Sequence, residues 1–295
     1  MKRPFRFGVV ASYTGSHTIW TATARRAEEL GYATLLIPDI PARGGLAPLV
    51  ALAVAAQATT RIRIGSYVLG NDYRHPVLLA REAATLDLLS NGRFELGLGA
   101  GVRASEFQLL GMPSASAGTR IGHLEETLQI MKQIFTEETV NFAGKYYSIT
   151  GVGGYPRPLQ KPHLPILIAG AGERMLKLAG READIIAIGS KVSGHGADPT
   201  DATLEQKITW LKEGAGARFA DLELAQTIYD RVLTDSGAEV NAQTGGWSIP
   251  KRQMSTEQAS AQLLEERERY GVSYLQVYDG QMENFAPVVA QLSGK

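Results

Sequence analysis

The stretch RHPVLLAREAATLDLLSNGRFELGLGAG, Arg74 to Gly101, contains one whole unit of the fold. Pro76 suits the first turn of a helix, where its missing N–H is not needed. Apolar residues then recur at helical spacing as far as Leu89, and Ser90-Asn91-Gly92 supplies a stop. The pattern next changes to that of a short buried strand, RFELGLG from Arg93, which runs into three glycines and an alanine at Gly97-Leu98-Gly99-Ala100-Gly101. A helix that hands over to a short apolar strand is half of a parallel-sheet repeat.

The same handover recurs along the chain. Candidate strands are FRFGVVAS from Phe5, ATLLIP from Ala33, RIRIGSYVL from Arg61, RFELGLG from Arg93, PILIAG from Pro165, ADIIAIG from Ala183, LELAQTIY from Leu222 and VSYLQVYD from Val272. Helices such as Thr18 to Leu30, closed by Gly31, and Met175 to Ala179, closed by Gly180, separate them. Eight strands in 295 residues predict a single α/β domain over 1–295, built as a (β/α)8 TIM barrel in preference to an open doubly wound sheet. Two insertions decorate it. TVNFAGKYYSI, between units four and five, reads as a hairpin turning at Ala143-Gly144, and the polar segment 234–254 is a candidate lid.

Composition narrows the function classes. Thirty basic residues balance thirty acidic ones, so no global field holds the protein on nucleic acid or on an anionic membrane, and an anionic ligand must be gripped locally. Cysteine is absent, which excludes disulfides, thiolate metal sites and cysteine nucleophiles and fits a reducing cytoplasm. The N-terminal MKRPFRFGVVASYTG has too short an apolar run for a secretory signal, so a cytoplasmic location is expected.

The five histidines, at 17, 75, 123, 163 and 195, show no metal-ligand spacing, so no metal is expected. His75 reads as a local cap before Pro76, His123 with Glu125, Glu126 and Lys132 as a solvated helix face, and His195 as a loop residue. His17, just past the first strand, is either a proton donor or an exposed loop histidine. No serine sits in a G-x-S-x-G elbow, which leaves serine hydrolase chemistry without support.

The glycine-rich turn after Arg93 is not a dinucleotide fingerprint. Its spacing is G-x-G-x-G, and the following ASEFQLLGMP is a poor phosphate-binding helix. Two readings remain: small residues at a crowded strand end, or a close ligand contact. A second such turn, Ala169-Gly170-Ala171-Gly172, lies between a strand and a helix, where free N–H groups can receive an anion. In a barrel both turns belong to the C-terminal rim, and together they favour a phosphorylated cofactor. Arg103 and Lys191, just past strand ends, either hold an acidic tail or substrate or are ordinary surface cations.

On the segments ARRAEELGYATLLIPD (Ala24 to Asp39), RIRIGSYVL (Arg61 to Leu69), Arg74 to Gly101, RIGHLEETLQIMKQIF (Arg120 to Phe135) and PILIAGAGERMLKLAGREADIIAIGSK (Pro165 to Lys191), the chain resembles the bacterial luciferase-like monooxygenase superfamily. Within it the chain resembles the deazaflavin (coenzyme F420)-dependent oxidoreductases more than the FMN enzymes. The resemblance implies a cofactor phosphate at Gly170, Ala171, Gly172 and Glu173. It implies contacts of Ala100, Gly101 and Val102 with the ribityl and phosphate portion, with Gly99 kept small for the same reason. A non-prolyl cis peptide at Tyr67-Val68, or alternatively Ser66-Tyr67, would support the ring, and Asp39 would approach it as the first catalytic candidate, with His17 the second. Two positions depart from the sugar-phosphate dehydrogenases of the superfamily: Ile40 stands where a histidine is usual, and Val102 where an acid follows the glycine turn. The activity implied is hydride transfer between F420 and a small organic substrate, in a homodimer. An FMN-dependent monooxygenase and a non-catalytic cofactor-binding barrel are the alternatives.

Overall fold

The computed structural model describes residues 3–11, 15–41, 45–101, 104–193, 196–238 and 251–295. All eight expected strands are present: β1 (Arg6–Val10), β2 (Thr34–Ile37), β3 (Arg63–Ser66), β4 (Phe94–Gly99), β5 (Ile166–Gly170), β6 (Ile185–Ile188), β7 (Glu223–Thr227) and β8 (Val272–Tyr278). Helices α1 (His17–Glu29), α2 (Pro48–Ala58), α3 (Pro76–Leu89), α4 (Ala104–Leu109), α5 (Ala117–Thr136), α6 (Glu173–Glu182), α7 (Leu204–Ala215), α8 (Thr256–Tyr270) and α9 (Met282–Leu292) alternate with them. The strands pair in the order β3-β2-β1-β8-β7-β6-β5-β4, and β3 pairs again with β4, which is the cyclic order of a (β/α)8 barrel.

Contacts divide the chain into two compact units, Met1–Leu36 with Ile168–Lys295, and Ile37–Leu167. In the first, β1 lies parallel to β8 with Phe7 opposite Leu275 and Val9 opposite Val277, and parallel to β2 with Val9 opposite Leu35. These strands are buried along nearly their whole length, as expected where a parallel sheet is covered on both faces. Gly8 interrupts β1 because a Cβ there would lie 3.2 Å from the Tyr274 ring. At the start of the strands Arg6 grips Glu223 through two hydrogen bonds of 2.9 and 2.7 Å, and its guanidinium covers Tyr274 at 4.1 Å. Helix α8 starts with a capping box between Ser255 and Gln258 and stops at Gly271 in the left-handed conformation.

The second unit repeats the same logic. Ile64 of β3 lies opposite Phe94 of β4, and Arg63 binds the buried Glu95 at 2.5 Å. Asp87, fully buried on α3, accepts N–H groups of Leu159 at 2.7 Å and Gln160 at 3.0 Å and the Gln160 amide at 2.6 Å, which fixes the proline-rich run leading to β5. The inserted hairpin pairs Thr139–Ala143 with Ser148–Gly153. Ala143 faces Ser148, so the turn is Gly144 to Tyr147, a little later than Ala143-Gly144. The cause is tertiary: the Glu126 carboxylate on α5 accepts the N–H groups of Lys145, Tyr146 and Tyr147 at 2.7, 2.9 and 3.0 Å.

The candidate lid is pinned at both ends. Arg231–Leu233 pairs in parallel with Arg252–Met254, while 239–250 lie outside the described residues. No described helix is long and apolar enough to cross a membrane.

Asp87→Ala removes the buried acceptor of the Leu159 and Gln160 N–H groups and should cost about 2 kcal/mol in urea unfolding. Unchanged stability would show that the proline-rich run is held by something else.

Candidate active site

In the second unit, β3 ends at Ser66 and the chain passes through a cis peptide between Tyr67 and Val68, the first of the two positions implied by resemblance. The buried Ser66 hydroxyl donates to the Gly97 carbonyl and accepts the Gly97 N–H, each at 2.9 Å. It is therefore a stitch between β3 and β4. Tyr67 N–H donates to the Ile37 carbonyl at 2.8 Å. Leu69 and Gly70 then rejoin the sheet opposite Leu98 and Gly99.

This path accounts for the small residues of β4. A Cβ on Gly97 would lie 2.0 Å from the Ser66 carbonyl oxygen, and one on Gly99 would lie 2.8 Å from Cγ2 of Val68. Gly99 is thus small to admit Val68, a reason internal to the chain. Gly101 has φ of +75°, and a Cβ there would meet Phe107 at 3.4 Å and Arg120 at 3.8 Å. Its glycine is required by backbone conformation. Ala100 is half-buried beside it, while Val102 and Arg103 lie outside the described residues.

Asp39 follows β2, and its carboxylate is only 3% exposed. Oδ2 accepts from Nη1 of Arg74 at 2.6 Å and from the Gly70 N–H at 3.1 Å, and Oδ1 accepts from Nη2 of Arg74 at 3.4 Å. The charge is matched and the carboxylate anchors the segment that follows the cis peptide. Tyr73 closes over Gly70, where a Cβ would lie 2.5 Å from its ring. Its phenol is pushed up to about 12, first by burial and then by the Glu106 carboxylate that accepts its O–H at 3.3 Å.

His75 caps α3, its Nδ1 accepting the Val77 N–H at 3.3 Å. His123 departs from the solvated-face reading: it is half-buried, with Nδ1 3.1 Å from Asp72 and its ring edge-on to Tyr146 at 4.5 Å. The hairpin folded over α5 covers it, and helical period alone does not register that packing.

In the first unit, the Ala169–Gly172 turn joins β5 to α6. The Gly170 carbonyl accepts the Gly189 N–H at 2.8 Å, which ties the ends of β5 and β6 together. Gly172 is the N-cap of α6, no side chain caps the helix, and a Cβ there would meet nothing within 4 Å. Glu173 does not fill the role, because its carboxylate turns to Lys177 at 2.7 Å. The first-turn N–H groups thus have no side-chain cap and the space beside the Gly172 α-carbon is open, which fits a phosphate. Ala171 is half-buried in the turn, and Lys191 is exposed past β6. His17 is the exposed first residue of α1, behind the N-cap Ser16. His195 lies outside the described residues.

Three residues escaped the reading of the sequence. Tyr229 and Tyr278, at the ends of β7 and β8, pack with ring centroids 5.9 Å apart. Burial raises both phenols, and at Tyr229 hydrogen bonds with Thr227 and Tyr278 oppose the shift. Each closes a strand segment legible in the sequence, at the end where a barrel carries its chemistry. Lys207 gave no such signal: from α7 its buried ammonium donates to the Gly189 carbonyl at 2.8 Å and to Asp201 at 2.6 Å. Among the described residues no His, Asp and Glu cluster could hold a metal ion.

Over residues 5–271 the sequence matches the luciferase-like monooxygenase family. An F420-dependent glucose-6-phosphate dehydrogenase of Amycolatopsis mediterranei (strain U-32) is 32% identical over 254 residues, covering 83% of this chain and 74% of that one. The coenzyme F420 dependent tetrahydromethanopterin reductase of Methanopyrus kandleri is similar in structure, with a TM-score of 0.77 and 19% identity over 98% of each chain. Riboflavin lyase with modified FMN and riboflavin reaches 0.78 at 13% identity, covering 99% of this chain and 94% of that one. At such identities the structural likeness shows the fold alone.

The raised phenols give a pH dependence with a definite sign. Neutral phenol is favoured in the fold, so this stabilisation is complete below about pH 10, the usual phenol range. It is lost as pH rises through the folded-state values, which for Tyr73 is about 12. Melting temperature should fall over that window, and less steeply for Tyr278→Phe. Parallel curves for the two proteins would contradict the burial of Tyr278.

Proposed function

Because the chain belongs to the luciferase-like monooxygenase family, we propose that it is a coenzyme F420-dependent oxidoreductase transferring a hydride between the deazaflavin and a small organic substrate. The observation that carries the reading is the uncapped, open N-terminus of α6 after a glycine turn. Its free N–H groups and helix dipole hold the cofactor phosphate at Gly170 to Glu173. The F420-dependent relative supports the cofactor choice.

Bound deazaflavin supplies or accepts the hydride, and it lacks the ring nitrogen through which flavins react readily with oxygen. The chain's own part is positioning and one proton. Tyr67 and Val68 back the ring, and Ala100 and Gly101 border its side chain. Asp39, held by Arg74, keeps the turn after the cis peptide in place. Tyr229 and Tyr278 stay protonated across the physiological range; Tyr278 donates to Tyr229, which leaves the Tyr229 Oη–H as the donor for a substrate oxygen. His17 is the other proton-carrying candidate, and Lys191 an exposed contact for an acidic group. An FMN enzyme on the same scaffold is the second reading, because the phosphate cradle at Gly172 serves either cofactor.

A cytoplasmic homodimer belongs to the same proposal. The cysteine-free chain suits a reducing compartment, and Val50 of α2 with Leu78 and Leu89 of α3 are 69%, 58% and 59% exposed, apolar surface that a second copy would cover.

Fluorescence titration should give at least tenfold tighter binding of oxidised F420 than of FMN, and equal or reversed affinities would put the FMN reading first. Gly172→Asp should weaken F420 far more than an analogue lacking the phosphate, because a fixed carboxylate competes for the same N–H groups. Those groups favour negative charge by about 0.3–1 kcal/mol at an exposed helix end. Helix stability should hold level or rise. Equal losses for both ligands would indicate steric damage, and no loss for either would place the phosphate elsewhere.

A further inference from the structure

Behind the turn that ends β4 stands a buried cation. Arg120, in the first half of α5, is 8% exposed. Among the described residues its guanidinium donates to backbone carbonyls alone: Nε to Ala100 at 2.9 Å, Nη1 to Ala115 at 2.6 Å and Nη2 to Gly101 at 3.4 Å. Phe107 lies beside it at 5.8 Å and leans in turn on Tyr73 at 5.2 Å. Two other partly buried arginines of this unit, Arg63 and Arg74, are matched by Glu95 and Asp39. Among the described residues no carboxylate matches Arg120.

Carbonyls solvate a guanidinium but do not neutralise it, and a buried charge without a counter-ion is unfavourable. The geometry shows where the missing negative charge belongs. In a trans peptide the C=O and N–H point in opposite directions. The Ala100 carbonyl turns to Arg120, so the N–H of Gly101 in the same peptide points away from it, polarised by the charge behind. That N–H has no acceptor among the described residues. The left-handed φ of Gly101, +75°, brings its own carbonyl to Arg120 as well. The turn is thus held with its carbonyls inward and its donor outward, the arrangement of an anion-binding backbone concavity.

We propose that Arg120 is a positioning residue for an anionic ligand group of phosphate or carboxylate chemistry, acting through the Ala100–Gly101 peptide. The ligand supplies the counter-charge that the chain omits. The proposal rests on the cofactor reading above only for the identity of the ligand.

Titration of the full chain with F420 and with a deazaflavin analogue lacking the phosphate and acidic tail tests it. Arg120→Met should weaken F420 at least tenfold and the analogue less than twofold, and Arg120→Lys, which keeps the charge, should recover most of the loss. If Arg120→Met fails to fold, Arg120→Gln, which retains a donor for the carbonyls without the charge, should show the same selectivity. Equal losses for the two ligands, no loss for either, or a lysine variant no better than methionine would each overturn the proposal. If wild type does not bind F420, the cofactor reading falls and FMN is compared with riboflavin, which differ by one phosphate, with the same outcomes expected. Binding of none of these ligands overturns both.

Discussion

The close approach of Ser66-Tyr67-Val68 to the glycines of β4 governs the site-bearing end of the second unit. The Ser66 carbonyl occupies the volume a Cβ at position 97 would need, and Val68 the volume at 99. The Ser66 hydroxyl can then exchange two hydrogen bonds with Gly97, Tyr67 can reach the Ile37 carbonyl, and Gly70 comes within reach of Asp39. Tyr73, Phe107 and Arg120 build outward from Gly70 and Gly101 in a continuous contact series. Ser66, Tyr67, Val68 and Gly99, assigned by resemblance to the cofactor, thus belong to a layer that the chain packs for its own reasons.

Opposite ends of the strands carry different kinds of charge. At the starts, Arg6 with Glu223 and Arg63 with Glu95 are matched pairs with two or more hydrogen bonds per arginine. Such pairs add little net stability, but removing one member leaves a buried charge, so they tie strands together irrevocably. At the C-terminal ends the groups differ: in the first unit Gly172 starts a helix with no side-chain cap and Tyr229 and Tyr278 pack as neutral phenols, and in the second the Gly101 N–H has no acceptor among the described residues.

The fold was legible because a change of hydrophobic period marks each handover from helix to strand, as at Leu89 to Phe94, and all eight strands were found. The turn glycines were equally visible, but their cause was not. What stands against Gly97 comes from residue 66, in another strand, and no local pattern records that contact. The same limit hid the capture of the hairpin turn by Glu126, the pairing of His123 with Asp72 and the buried charges of Arg120 and Lys207, all of which sit on helices whose outward period looks ordinary. Tyr229 and Tyr278 were within reach, since each ends a strand already identified.

Equilibrium unfolding of Gly97→Ala beside Gly153→Ala tests the central constraint most directly. A Cβ at 97 would fall 2.0 Å from a backbone oxygen, whereas one at 153 would meet nothing within 4 Å. Gly97→Ala should lose about 3 kcal/mol, the upper end of overpacking costs, with Gly153→Ala within about 0.5 kcal/mol of wild type. Equal stabilities for the two variants would mean that Ser66 does not lie against β4 and that the layer behind the candidate site is built in some other way.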